Sequence, residues 1–294
     1  MKWLKSIGML LIANILIFVT LSITFQVLVN YVLPAFGIDV RGAVNQQDLV
    51  WALVIGFGGA FISLAFSKQM ARSMLDCQQI TQPRTQAEQV IYGAVQEIAQ
   101  RMRIQMPEVW VYEAPDPNAF ATEPSKNNSM VAVSTGLLNN LKEQEVRAVL
   151  AHEMGHVYNG DMFTTTVLAG LMNTFVYFIS RWVYRNLAER SEAMGFAAYI
   201  LLQIMLSFLA MIPISWFSRR REFAADAFSA KVYGKESMIS ALQAIHQWVN
   251  RAQVEYGTQD PLATMKISGK TSGLFHIFAT HPPIEARVAA LRQL

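Results

Sequence analysis

Long charge-free apolar runs alternate with mixed polar sequence along this chain. Ile7–Val29 holds no Asp, Glu, Lys or Arg over 23 positions. As a helix rising about 1.5 Å per residue, it spans a hydrocarbon core of about 30 Å. Leu49–Phe66 is a second such run, and its Gly56, Gly58, Gly59 and Ala60 would let another helix pack closely. Met162–Ser180 and Met194–Phe217 are a third and a fourth. Their apolar character around the whole circumference suits lipid better than the competing reading, two helices buried in a soluble core. The pattern predicts four parts: an N-terminal transmembrane hairpin over 1–66, a polar segment over 67–161, a second hydrophobic hairpin over 162–217 and a second polar segment over 218–294. Lys2 and Lys5 resemble the basic start of a signal peptide. The run behind them is too long and lacks a small-residue cleavage site, so it reads as a retained span.

Within the polar segments the period changes. Val90, Ile91, Ala94, Val95 and Ile98 recur at helical spacing over Gln86–Arg103, and Thr85 with Glu88 forms a capping box ahead of them. Val109, Val111 and Met130–Val133 have the β-branched alternation of strands, with Pro115–Pro124 between them as a loop or irregular edge. A helix is predicted from near Lys142 into His152. Another resumes at Lys235, loosens across Gly257–Gly273, and is followed by a short helix over Ile284–Leu291. The fold class is mainly α with a small β-sheet.

Composition agrees with a bilayer: 53% of residues are hydrophobic and 15% charged. A net charge of +3 from dispersed Lys and Arg leaves no nucleic-acid footprint. The single cysteine, Cys77, excludes an internal disulfide and a thiolate-cluster metal site, so any metal must take His and carboxylate ligands. Lys2, Lys5, Lys68 and Arg72 flank the first hairpin against Arg41 in its connecting loop, which puts both hairpin ends in the cytoplasm. Arg219, Arg220 and Arg221 after the fourth run agree. Arg181, Arg185 and Arg190 between the third and fourth runs oppose it, unless that pair is a shallow hairpin.

The chemistry centres on His152-Glu153-Met154-Gly155-His156, an H-E-x-x-H pattern inside a predicted helix. Histidines at i and i+4 share one face and reach one ion, while Glu153 points beside it, where a general base for a metal-activated water belongs. The bland alternative leaves both histidines as core or surface residues. A catalytic zinc takes three protein ligands, and Glu222 fits as the third: it forms Glu-x-x-x-Asp with Asp226, one helical turn on. Asp226 would then accept a hydrogen bond from the far nitrogen of a ligand histidine. In the alternative, Glu222 starts a solvated helix and pairs with Arg219 or Arg221. His246 reads as structural and His276 as core or loop. His281 precedes Pro282-Pro283 and a terminal helix bearing Arg287; surface roles and stabilisation of an oxyanion stay open for both.

Together these segments resemble the HtpX-like membrane peptidases, a gluzincin group related to the CAAX prenyl endopeptidases. The likeness rests on the N-terminal hydrophobic pair, Pro117-Asn118-Ala119-Phe120-Ala121, the H-E-x-x-H segment, Arg221-Glu222-Phe223-Ala224-Ala225-Asp226 and Thr280-His281-Pro282-Pro283. It implies a zincin-type catalytic domain on about four hydrophobic helices, with one Zn2+ per chain. It also implies Glu222 as third ligand, Asp226 as its supporting carboxylate, His281 and Arg287 as transition-state contacts, and Asn118 on an edge that holds substrate backbone. The implied role is endoproteolytic quality control of misfolded or damaged membrane proteins in a bacterial inner membrane, as part of a stress response, with the active site on the cytoplasmic side. Its partners would be membrane-protein or peptide substrates and the lipid bilayer. Two other functions make different demands. An adaptor with structural zinc needs a fourth protein ligand, and a metal transporter needs ionisable residues inside the apolar runs, which carry none.

Overall fold

The computed structural model describes residues 31, 33–35, 46–256 and 278–294. The first apolar run, Lys2, Lys5, Arg41, His276 and the stretch 257–277 therefore lie outside the described residues. In chain order the principal elements are α1 (Gln46–Leu75), β1 (Gln78–Gln79), α2 (Gln86–Met102), β2 (Glu108–Tyr112), β3 (Ala119–Ser125), β4 (Asn128–Ser134), α3 (Thr135–Asn140), α4 (Glu143–Asn159), α5 (Asp161–Ala188), α6 (Glu192–Tyr233), α7 (Lys235–Tyr256) and α8 (Ile284–Arg292). The described residues fall into two compact units. One holds the described residues up to Ser63 with Thr166–Met211; the other holds Leu64–Thr165 and the described residues from Ile212 onward. Each boundary falls inside a helix.

In the first unit the helices carry apolar side chains on their outer surface, including Val54, Ile55 and Ile62 of α1, Phe175 of α5 and Leu201 and Phe208 of α6. Three helices among the described residues, α1, α5 and α6, are long and apolar enough to cross a membrane. A surface this apolar is stable in lipid and not in water. Of the small residues in α1, Gly56 makes the close approach: a Cβ there would collide with Thr174 of α5, whereas Gly58 and Gly59 face open space. Arg185 Nη1 lies 2.8 Å and Arg181 Nε 3.6 Å from the Asp48 carboxylate. Two of the three arginines that oppose a cytoplasmic exit are thus inside α5 and ion-paired, and Arg190 alone sits in the short turn before α6.

The second unit is built on a four-stranded sheet in the order β1-β2-β4-β3. β2 runs parallel to β4, and β1 and β3 are antiparallel to their neighbours. Alternation sends Val109, Val131 and Val133 to one face, where they meet Ile91, Val95 and Ile98 of α2 and Leu150 and Met154 of α4. Burying a leucine such as Leu150 completely stabilises the fold by about 1.5–3 kcal/mol. Tyr112, Met130 and Ala132 take the other face. Thr85 caps α2 through the Glu88 amide and Glu88 reciprocates, as the sequence predicts. Of the two readings of 115–124, loop or irregular edge, the structure has the edge: β3 begins at Ala119 and shifts register between Thr122 and Ser125. Pro124 is tolerated because β3 is an edge strand, where a missing N–H removes no ladder bond.

The longest helix rules out the alternative that set Glu222 at a helix start. No new helix starts at Arg219–Glu222; α6 continues unbroken for 42 residues from its apolar run to Tyr233, with Pro213 inside it. The terminal helix α8 packs through Ile284, Val288 and Leu291 on Met238 and Leu242 of α7 and Ala148 of α4.

Candidate metal centre

Helix α4 is buried almost all round, with Val149, Leu150, Ala151, Met154 and Val157 in the interior, and this fixes its rotation. Its start is held by Glu145, which accepts from the Lys142 amide (2.8 Å) and from Ser240 Oγ (2.6 Å). Gly155 lets α6 approach: a Cβ there would stand 3.2 Å from Ala225 Cα. Ser229 Oγ of α6 donates to the Ala148 carbonyl at 2.6 Å and locks the two helices. The polar stripe of α4 thereby meets the Glu222 turn of α6.

At that meeting point His152 Nε2 and His156 Nε2 are 3.2 Å apart. Glu222 completes a triangle, with Oε1 3.4 Å from His156 Nε2 and Oε2 3.5 Å from His152 Nε2. Three donors bound tetrahedrally at about 2.0–2.1 Å from one zinc ion stand about 3.4 Å from one another. These three are the group of described residues able to hold a metal ion. Glu222 Oε2, buried and 2.9 Å from His281 Nδ1, has charged neighbours but no well-angled hydrogen bond. Charge agrees with geometry. Glu153, Asp161, Glu222 and Asp226 face two guanidiniums, Arg221 and Arg287, which leaves two negative charges for a cation at the imidazoles to balance.

Behind the triangle, His152 Nδ1 is 2.9 Å from Asp226 Oδ1, and Arg287 grips Asp226 through Nε (2.8 Å) and Nη2 (2.6 Å). His156 Nδ1 is 2.7 Å from Asp161 Oδ2, while Asp161 Oδ1 receives Arg221. Burial alone would lower both histidines. Asp161 and Glu222 outweigh it and raise His156 to about 10; Asp226 and Glu222 raise His152. Burial works against the carboxylates as well, yet Arg287 and the histidines hold Glu222 well below the usual range and Asp226 at about 2. Glu222 and Asp226 lie beyond the charge-free run of α6. The site stabilises positive charge between its donors.

Glu153 Oε2 accepts from the Ala121 amide of β3 at 3.0 Å, which sets the edge strand beside the acid. Asn118 is exposed just before β3, bonded through its own N–H and carbonyl to Ser134. His281, with a side chain 36% exposed, is steadied by two side chains of α6: Ser215 Oγ holds the Phe278 carbonyl and Arg219 Nη1 the Ala279 carbonyl. Contacts thus join His152, His156, Glu222, Asp226, His281 and Arg287; Glu153 is tied to β3 at Ala121, and Asn118 stands just before that strand. His246 lies apart, 3.8 Å from Glu285. Arg219 donates to the Ala279 carbonyl, and Arg221 pairs with Asp161.

Asp161 and Glu123 were not singled out in the sequence, and Arg221 was read as a charge at the end of an apolar run or a partner of Glu222, not of Asp161. Glu123 is buried on β3, where Oε1 accepts from the Met162 amide (3.1 Å), and burial pushes its carboxyl up to about 7. The available signal for Asp161 was Gly160, a left-handed helix cap that folds the chain back beside His156.

Residues 85–294 match the model of peptidase family M48. Protease HtpX of Pasteurella multocida is 43% identical over 286 residues, covering 96% of this chain and 98% of that protein. The Protease HtpX homolog of Methylacidiphilum infernorum is 40% identical over 303 residues, covering 99% of each. The crystal structure of S. mikatae Ste24p is similar in fold, with a TM-score of 0.62 at 17% identity over 97% of this chain and 67% of that one. Apolar helices, the His-His-Glu triangle and these full-length matches lead to one assignment: the chain belongs to peptidase family M48 and is an HtpX-like membrane metalloendopeptidase.

Proposed function

We propose that this enzyme uses zinc, held by His152, His156 and Glu222, to hydrolyse peptide bonds of misfolded or damaged membrane proteins at the cytoplasmic face of a bacterial inner membrane. The observation that carries the reading is the triangle of donors with Glu153 tied to an edge strand beside it. Zinc bound there supplies Lewis-acid polarisation of the scissile carbonyl and lowers the pKa of the attacking water. Glu153 takes the proton of that water on its carboxylate and returns it to the leaving amine. Substrate backbone lies along β3 from Asn118 to Ala121, an edge strand whose Ala121 amide Glu153 must release for a strand to be added there.

Asp226 accepts from His152 Nδ1 and so turns the Nε2 lone pair toward the triangle. His281, partly exposed beside Glu222, donates to the oxyanion of the tetrahedral intermediate. Arg287 is buried with two bonds to Asp226, so it adds positive charge from behind the ligands. The cytoplasmic placement rests on Lys68, Arg72 and Arg219–Arg221 at the ends of apolar runs. The bilayer delivers substrates of the same class as the surface that surrounds the enzyme.

The test is a Glu153→Gln protein purified in detergent. It should bind zinc like the unaltered protein and lose cleavage of an unfolded membrane-protein substrate, and chelator should abolish cleavage by the unaltered protein. Cleavage at the normal rate by Glu153→Gln would falsify the mechanism.

A further inference from the structure

We propose that Asp161 and Arg221 are positioning residues for His156, forming a second orienting arm that matches the Asp226–Arg287 arm behind His152. This rests on reading His152, His156 and Glu222 as a zinc site. Asp161 stands five positions after His156, across the Gly160 turn, whose amide bonds back to the His156 and Val157 carbonyls. That turn brings the Asp161 carboxylate to His156. Oδ2 is 2.7 Å from Nδ1, and Oδ1 receives Arg221 through both Nε and Nη2.

An acid at the first position of a helix has an ordinary explanation, since it complements the positive end of the helix dipole. That role leaves a carboxylate solvated and needs no histidine. Asp161 instead is 6% exposed, and each of its oxygens is committed to a side chain. A neutral imidazole has one N–H. An acceptor at Nδ1 fixes the proton there and leaves Nε2 as a lone pair facing His152 Nε2 and Glu222 Oε1. The carboxylate also makes the ring a stronger donor.

Arg221 immediately precedes Glu222, so one turn of α6 supplies the third donor and the clamp on the carboxylate that aims the second. The backbone beyond Asp161 is pinned as well: the Met162 amide donates to Glu123 Oε1 of β3. His156 is therefore aimed from α5, α6 and the sheet together, independently of the C-terminal helix that aims His152.

The test uses full-length protein in detergent, with zinc affinity read by competition against a chelator and ligand geometry by the absorption bands of the cobalt-substituted protein. Asp161→Asn should weaken zinc binding by about 10–100-fold and shift the cobalt bands in protein that circular dichroism shows to be folded. Glu189→Gln, in the turn between α5 and α6, should change neither. If Asp161→Asn does not fold, Arg221→Met carries the test, with an expected loss of about threefold or more in zinc affinity in the same direction. Unaltered affinity and unaltered cobalt bands in the folded variant overturn the inference. A different failure is separable: if the unaltered protein takes up no zinc, or His152→Ala takes it up normally, the metal-site reading falls and this inference with it.

Discussion

The two imidazoles of the site are held by the same sequence of groups in different surroundings. Behind His152, Asp226 and Arg287 are buried, with side chains 2% and 8% exposed. Behind His156, Asp161 is also buried, at 8%, but Arg221 is 27% exposed. A guanidinium enclosed with its carboxylate cannot be removed without stranding a charge in a low dielectric, whereas water can take the place of one at a rim. The inner arm therefore belongs to the folding of the unit, since it ties α8 to α6 and α4. The outer arm can be altered with less effect on the fold and acts chiefly on the metal.

The largest effect should come where the arms converge. Glu222→Ala removes the donor shared by both, so zinc uptake and cleavage should both disappear; stoichiometric zinc in that variant would break the comparison at its root. Next, Arg287→Met should destabilise the metal-free protein by about 3–5 kcal/mol, because it leaves Asp226 buried and unpaired. Arg221→Met should cost less, because water can reach the partly exposed position that the guanidinium leaves. Denaturant unfolding of the two variants reads the difference directly, and equal losses would show that burial does not separate the arms.

Protons sharpen the contrast. His156 is raised to about 10 in the metal-free protein, above its ordinary value of about 6.5. Its contribution to metal-free stability is full below about 6.5 and lost as pH rises through about 10. Zinc requires the neutral ring, so at neutral pH its uptake must expel that proton. Affinity should rise about tenfold per pH unit for each proton displaced. Calorimetric titration in buffers of different ionisation heat counts the released protons; an affinity flat across neutral pH would contradict the assignment.

Glu123 gives the smallest effect. Burial raises its carboxyl to about 7, above the unfolded value of about 4.3. Its contribution to stability is full below about 4.3 and lost as pH rises through about 7. Glu123→Gln cannot ionise, so it should melt with the unaltered protein in acid and slightly above it in mild alkali. A melting temperature lowered equally at all pH values would make Glu123 a needed charge and not a neutral anchor for Met162.

Much of this was legible in the residues. His152 and His156 were visible through a one-turn spacing, and Glu222 through the coordination they leave open, because metal chemistry dictates both. Thr85 and Glu88 showed the start of α2 because capping is local. Asp161 and Arg221 were not legible: their partnership depends on how α4, α5 and α6 cross, and no short-range spacing encodes a crossing. β3 was obscured by Pro115, Pro117 and Pro124, which signal a loop unless the strand is known to be an edge. The alternative that set Glu222 at a solvated helix start fails because polarity can change along a helix without breaking its hydrogen bonds, and α6 runs on through Arg219–Glu222.

That continuity of α6 gives the apolar run a second meaning. Along one unbroken helix each added residue turns everything beyond it by about 100°. A single residue inserted between Phe217 and Glu222 would leave hydrophobicity unchanged and yet swing the carboxylate away from the imidazoles. The stretch before the metal ligand is thus a phase setting as well as a lipid-facing surface, and its length is fixed to the residue by the rotation of the side chain at its far end.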